Sequence, residues 1–186
     1  MHEELTDLLT GSDADGAPWQ ALAASVPGRK HIRSGIPCQD ASVAGFEPYP
    51  FVVVADGRGS SANSHLGAQA SCAAVSELIR SSTCMLREIL DGHDDGVADS
   101  QWGHLATMLF EATRTRQRAI AGERQLSQAE LEHTLLLSLW GKRRIACLHV
   151  GDGAIVLEHN GVDLSVSSAP ERGEYANQTC FVGART

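Results

Sequence analysis

The sequence predicts an α+β layered domain, and three observations carry that class. The run Phe51-Val52-Val53-Val54-Ala55 is apolar without a break, as in a strand covered on both faces. Leu66, Ala70, Ala73, Ala74, Val75 and Leu78 then recur at helical spacing. In the last third, strand-length apolar runs alternate with glycine-containing turns, which is the pattern of antiparallel pairing.

The elements follow in order. Residues 1 to about 17 hold a short apolar-periodic piece (Leu5, Leu8, Leu9) and then the turn-rich Gly11-Ser12-Asp13-Ala14-Asp15-Gly16. They are expected to stand as an appendage ahead of one domain over residues 18–186. Trp19 to Val26 reads as a strand ended by Pro27-Gly28, and residues 41–44 as a second strand ahead of Pro48. The apolar run at Phe51 delivers Asp56-Gly57 at its end. Small residues (Gly67, Ala68, Ser71, Cys72) fill the first helix, so it can lie close behind that strand. A second helix is expected from about Trp102 to Ala121, beyond the polar loop Asp91 to Gly96, and one further helical turn over Ser127 to Glu132. Thr134–Trp140, Arg144–Val150, Ala154–Glu158 and Val162–Val166 predict a meander of four strands. Its turns fall at Gly141-Lys142, Gly151-Asp152-Gly153 and Asn160-Gly161.

Composition narrows the function. The 186 residues suit one domain, and 42% hydrophobic content is enough for a core. A formal net charge of −8 argues against broad binding to nucleic-acid phosphates, which needs clustered Lys and Arg. Arg114, Arg116 and Arg118 read as a solvated helix face, and Lys142-Arg143-Arg144 as a hairpin tip. The five cysteines are odd in number and show no CxxC spacing, so they read as reduced thiols of a cytoplasmic protein. No stretch approaches the roughly 18 apolar residues of a membrane span. The acidic start Met1-His2-Glu3-Glu4-Leu5 lacks the parts of a signal peptide. Neither nucleic acid nor membrane is therefore an expected partner.

Three aspartates stand at predicted strand tips: Asp40, Asp56 and Asp152. Each alone reads as a turn or cap residue. Together they suggest a metal site, and an oxygen-only donor set favours Mg²⁺ or Mn²⁺ over zinc. Arg58 beside Asp56 reads either as a solvated loop charge or as a contact for phosphate.

The order of the motifs carries a resemblance. His31, Gly35 and Pro37-Cys38-Gln39-Asp40 come first, followed by Val54-Ala55-Asp56-Gly57-Arg58-Gly59 and Val150-Gly151-Asp152-Gly153, and last by Gly173-Glu174-Tyr175-Ala176-Asn177-Gln178-Thr179. This order resembles the metal-dependent Ser/Thr phosphatases of the 2C type (the PPM family), in the bacterial branch with Pro-Cys-Gln-Asp. The likeness runs from about residue 19 to the end. It implies a four-layer α-β-β-α sandwich holding two metals at one end of its sheets. Asp56 would bridge the metals, the Gly57 carbonyl would bind one, Asp40 would act mainly through water, and Asp152 would match a third, weaker position. It implies hydrolysis of phosphoserine and phosphothreonine by metal-activated water, with a phosphorylated protein as substrate and a cognate Ser/Thr kinase as a further partner. His31 would serve as general acid and Arg33 would hold substrate phosphate, although Arg33 is not at the family's usual offset from Asp40. His31 reads equally well as a packing histidine. The segment from Gly173 to Asn177 would order a loop near the site. The family's later metal aspartates have no counterpart after Thr179, so the expectation is a C-terminally shortened member lacking the last strands of one sheet. A catalytically silent phosphatase-like module that binds a protein or phosphoprotein partner is the alternative.

Overall fold

The computed structural model describes residues 5–13, 16–93, 96–159, 161–168 and 179–183. The chain starts with strands β1 (Leu5–Ser12) and β2 (Pro18–Ser25), paired antiparallel from Leu5↔Ser25 to Ser12↔Pro18. The piece expected to stand apart therefore enters the structure as half of a hairpin. A single-turn helix, α1 (Arg29–Ser34), ends at Gly35 in the left-handed conformation, φ 66°. Next come β3 (Asp40–Gly45), β4 (Phe51–Asp56) and the helices α2 (Ser64–Ser81), α3 (Thr83–Asp91) and α4 (Val97–Arg124). A 3-10 turn (Gln128–Leu131) precedes β5 (Leu135–Trp140), β6 (Ile145–Val150), β7 (Ile155–His159) and β8 (Asp163–Ser168).

Strands β3-β4-β5-β6 form one antiparallel sheet in that order. Its central strands explain the core. Phe51, Val53 and Ala55 of β4 and Leu135, Leu137 and Leu139 of β5 are all buried on the face that meets the helices. Each such Leu or Phe is worth about 1.5–3 kcal/mol of burial. Helix α2 lies across β3 and β4 through Ala68, Cys72, Val75 and Ile79, and α4 adds Leu105 and Leu109. Gly67 lets α2 close on the 3-10 turn, because a Cβ there would run into the Leu131 carbonyl.

Two expectations change. The sequence pattern predicts no element between the first helix and the polar loop Asp91 to Gly96, yet Thr83–Asp91 forms helix α3, with Leu86, Ile89 and Leu90 buried on one side of it. The predicted four-strand meander also divides, with β5–β6 completing the main sheet and β7–β8 pairing only with each other. The turn at Gly151 (φ 120°) and Gly153 explains the break. A Cβ on Gly151 would meet Thr134, and one on Gly153 would meet Leu136, so only glycines let the chain fold back over β5. Among the described residues the layers are helices α2–α4, then the four-stranded sheet, then the two hairpins on the other face. The class is α+β, as expected. No described helix is long and apolar enough to cross a membrane.

Candidate metal and phosphate site

Strand register builds the site. Asp40 stands directly opposite Asp56 across β3 and β4. Residues paired this way have Cβ atoms about 4.5–5.5 Å apart on one face of the sheet. Since Phe51, Val53 and Ala55 face the helices, Val52, Val54 and Asp56 face the hairpin side. Both acids therefore project to that side, away from the apolar core.

Their electrostatics follow from this crowding. Partial burial pushes the Asp56 carboxyl up to about 6, helped by the charge of Asp40, a hydrogen bond with it and the charge of Asp152, while His31 pulls the other way. Three carboxyls and one imidazole thus act on one point. A cavity of about 350 Å³ here is lined by His31, Cys38, Asp40, Asp56, Gly57 and Gly59, among others. Arg33 is exposed on α1, two residues beyond His31 and so on another side of that helix, and it does not line the cavity. Asp152 lies at the exposed turn after β6 and accepts a hydrogen bond from Thr179 Oγ1 at 3.2 Å. Residues 173–178 of the last motif lie outside the described residues.

Groups that no linear motif revealed hold these residues in place. The Asp56 N–H donates to Thr134 Oγ1 at 3.1 Å, and the Thr134 N–H donates to the Asp56 carbonyl at 2.8 Å. The Ser25 hydroxyl reaches from β2 to Asp40 Oδ2 at 3.3 Å and lies 2.9 Å from Cys38 Sγ. Buried Gln39 donates through Nε2 to the Ser61 carbonyl, which ties the motif to the loop after Gly59. Gly57 donates to the Gln39 carbonyl at 3.1 Å and bridges His133. A Cβ on Gly57 would lie 2.7 Å from that carbonyl oxygen and from Ser64 Oγ, so the chain here has room only for glycine.

Arg58 comes next. Its N–H donates to the Glu132 carbonyl at 2.9 Å, and its Nη1 lies 2.6 Å from Glu132 Oε2. Behind this, His133 is fully buried, donates from Nδ1 to the Leu131 carbonyl at 2.8 Å, and is kept neutral by desolvation. Gln117 Nε2 donates to the carbonyls of Leu131 (2.8 Å) and Val182 (3.2 Å), which fastens residues 179–183 behind the site. The signal for Glu132 and Thr134 was the antiparallel register itself, which runs on past β4 and β5 to set Gly57 against His133.

The donors suit a hard divalent cation. Two facing carboxyls hold a proton more tightly than either would alone, and a cation relieves the same crowding. Gly57 offers its backbone beside them in a cradle that a Cβ would fill. Among the described residues, no three acid, imidazole or thiol side chains meet as a ready-made metal cluster.

The family model described as protein phosphatase 2C matches residues 27–186. Serine/threonine-protein phosphatase 3 of Escherichia coli (strain K12) is 30% identical over 170 residues, which cover 88% of this chain and 62% of that relative. The chain thus spans less than two thirds of the relative's length.

Proposed function

The chain belongs to the protein phosphatase 2C family, and from that premise we propose that it is a metal-dependent hydrolase of phosphoserine and phosphothreonine in proteins. The facing pair Asp40 and Asp56, crowded enough to push Asp56 up to about 6, is the observation that carries this reading. Asp40, Asp56 and the Gly57 carbonyl would hold Mn²⁺ or Mg²⁺, with Asp152 as an outlying ligand. Bound there, a divalent cation supplies a low pKa for water and positive charge against the phosphoryl oxygens.

The chain's own groups do the rest. Thr134 fixes Asp56 through two backbone-anchored hydrogen bonds, and Ser25 orients Asp40. His31 lines the same cavity and would give a proton to the departing serine or threonine oxygen. Arg33, exposed on α1 and outside the lining of that cavity, would meet the substrate from the solvent side. A phosphorylated protein is the substrate and a Ser/Thr kinase the opposing activity. Five unpaired cysteines suit the cytoplasm.

The second reading is a catalytically silent phosphatase-like module that binds a protein or phosphoprotein partner through the same cleft. Hydrolysis of a phosphothreonine peptide with Mn²⁺ decides between the two. Turnover well above an Asp56→Asn control supports the enzyme. Manganese binding that Asp56→Asn abolishes, with no turnover, supports the module.

A further inference from the structure

We propose that Arg58 receives the phosphate of the substrate and that Glu132 holds its guanidinium ready for it. This deepens the phosphatase reading and rests on it. Strand alternation puts residue 58 on the face of Asp56. The face that carries Val52, Val54 and Asp56 reaches Arg58 two residues later, because Gly57 still pairs with His133 in the register of β4 and β5. Two residues of strand advance about 6.6 Å. A phosphate placed over Asp56 therefore lies within the span of an arginine side chain starting from residue 58.

Arg58 is held on two sides. Glu132 Oε2 takes Nη1 at 2.6 Å, with the glutamate side chain only 10% exposed while that of Arg58 is 44% exposed. The Phe181 ring lies beneath the guanidinium, 5.9 Å from Cζ to the ring centroid. A surface pair between two mobile side chains would do little. Here one partner is buried and an aromatic ring supports the other, so the guanidinium is oriented before any ligand arrives. Glu132 is the only hydrogen-bond acceptor of the Arg58 side chain among the described residues, which leaves donors of its planar fork for a phosphate.

Charge points the same way. Asp40, Asp56 and Asp152 surround the cavity, and a phosphate must meet positive charge beyond whatever cations those acids hold. His31 lines the cavity and its charge opposes theirs at Asp56, whereas Arg33 and Arg58 both stand outside the lining, Arg58 two residues beyond Asp56 on the same strand face. Arg58 supplies the fixed cation next to the metal-binding strand end. Its contact with Phe181 also makes residues 179–183 part of the phosphate-binding edge.

The test is titration of the Mn²⁺-loaded protein with inorganic phosphate and with a phosphoserine peptide, for wild type, Arg58→Met and Arg58→Lys. Separate Mn²⁺ titrations and melting curves serve as controls. Arg58→Met should weaken phosphate and peptide about tenfold or more, as loss of a charge-assisted pair does. Arg58→Lys keeps the charge but not the fork, so it should fall in between, and Mn²⁺ affinity should stay within about twofold of wild type. If the substrate is turned over, the loss appears in KM for the peptide. Phosphate affinity unchanged in Arg58→Lys and Arg58→Met alike, with only the melting point lowered, overturns the proposal and makes Arg58 a clamp for its loop. Should Arg58→Met fail to fold, unchanged phosphate binding in Arg58→Lys overturns it by itself. A wild type that binds phosphate through Arg58 yet hydrolyses nothing refutes the phosphatase reading and leaves this inference standing. A wild type that binds no phosphate refutes the inference.

Discussion

Replacing Gly57 by alanine tests the site's construction with one methyl group. The added Cβ would stand 2.7 Å from the Gln39 carbonyl oxygen, 2.7 Å from Ser64 Oγ and 2.9 Å from Ser64 Cβ. Ordinary contacts of these kinds are about 3.5 Å or more, so something must give by more than half an ångström. Ser64 is buried at the first turn of α2, and its hydroxyl already donates to the Arg58 carbonyl at 3.1 Å, so it has little freedom to turn away. The Gln39 carbonyl also accepts the Gly57 N–H, and moving it moves Asp40, the next residue, relative to Asp56. Overpacking of this sort costs about 1–3 kcal/mol. Displacing one ligand relative to the other should cost a further 10- to 100-fold in Mn²⁺ affinity, the range seen when the support of a metal ligand is lost. Urea unfolding of the metal-free protein reads the first quantity and calorimetric titration with Mn²⁺ the second. The double variant Gly57→Ala with Ser64→Gly should recover part of the stability, because it removes one of the two obstacles. Gly57→Ala that unfolds within 0.5 kcal/mol of wild type (an ordinary surface change) and binds Mn²⁺ equally well would refute the close packing described here.

Two further outcomes are expected. The Asp56 carboxyl is raised from 3.8 to about 6, so the native state holds this proton more tightly than the unfolded chain does. Its contribution to the stability of the metal-free protein is therefore fully present below 3.8 and lost as the pH rises through about 6. Because the Asp56 side chain is only partly withdrawn from water, screening reduces the effect to about 1 kcal/mol. Urea unfolding at several pH values should show this slope in wild type and not in Asp56→Asn, and Mn²⁺, which displaces the same proton, should bind more tightly as the pH rises through that range. Gln117→Leu removes the donor that serves the Leu131 and Val182 carbonyls from a buried position, at about 1–3 kcal/mol. Amide exchange at Val182, whose N–H donates to the His133 carbonyl, should then quicken ahead of that at Leu137 in β5.

How much the sequence revealed depended on whether a signal was local. The unbroken apolar run of β4 and the small residues of α2 announced themselves, and the ends of those elements placed Asp56 and the loop after it. Helix α1 did not, since Arg29 to Ser34 is too short and polar for a hydrophobic period to show. Helix α3 spreads its apolar residues over only nine positions between polar neighbours, too few for a helical period to show. Strand β1 has Leu5, Leu8 and Leu9 at a spacing that suits a helix, and its pairing with β2 outweighs that spacing. Within the site, Asp40, Asp56, Gly57 and His31 come together around one cavity, and Asp152 reaches Asp56 through its charge. Their supports were not legible. Glu132 and Thr134 are more than seventy residues from the atoms they hold, and Ser25 acts from a different sheet. Only strand register brings such residues together, and a linear motif does not record it.

That register has a consequence for folding itself. A slip of β3 or β4 by one residue would turn every side chain on that strand to the opposite face. Asp40 or Asp56 would then turn toward the helix layer, beside Ser64 and Ala68 at the buried start of α2, where an unpaired carboxylate is costly. The aspartates that would hold the cations therefore also exclude the wrong pairings of their strands, by several kcal/mol for each misplaced charge. Replacing both with alanine would remove that exclusion, leaving an apolar ladder able to settle in more than one alignment.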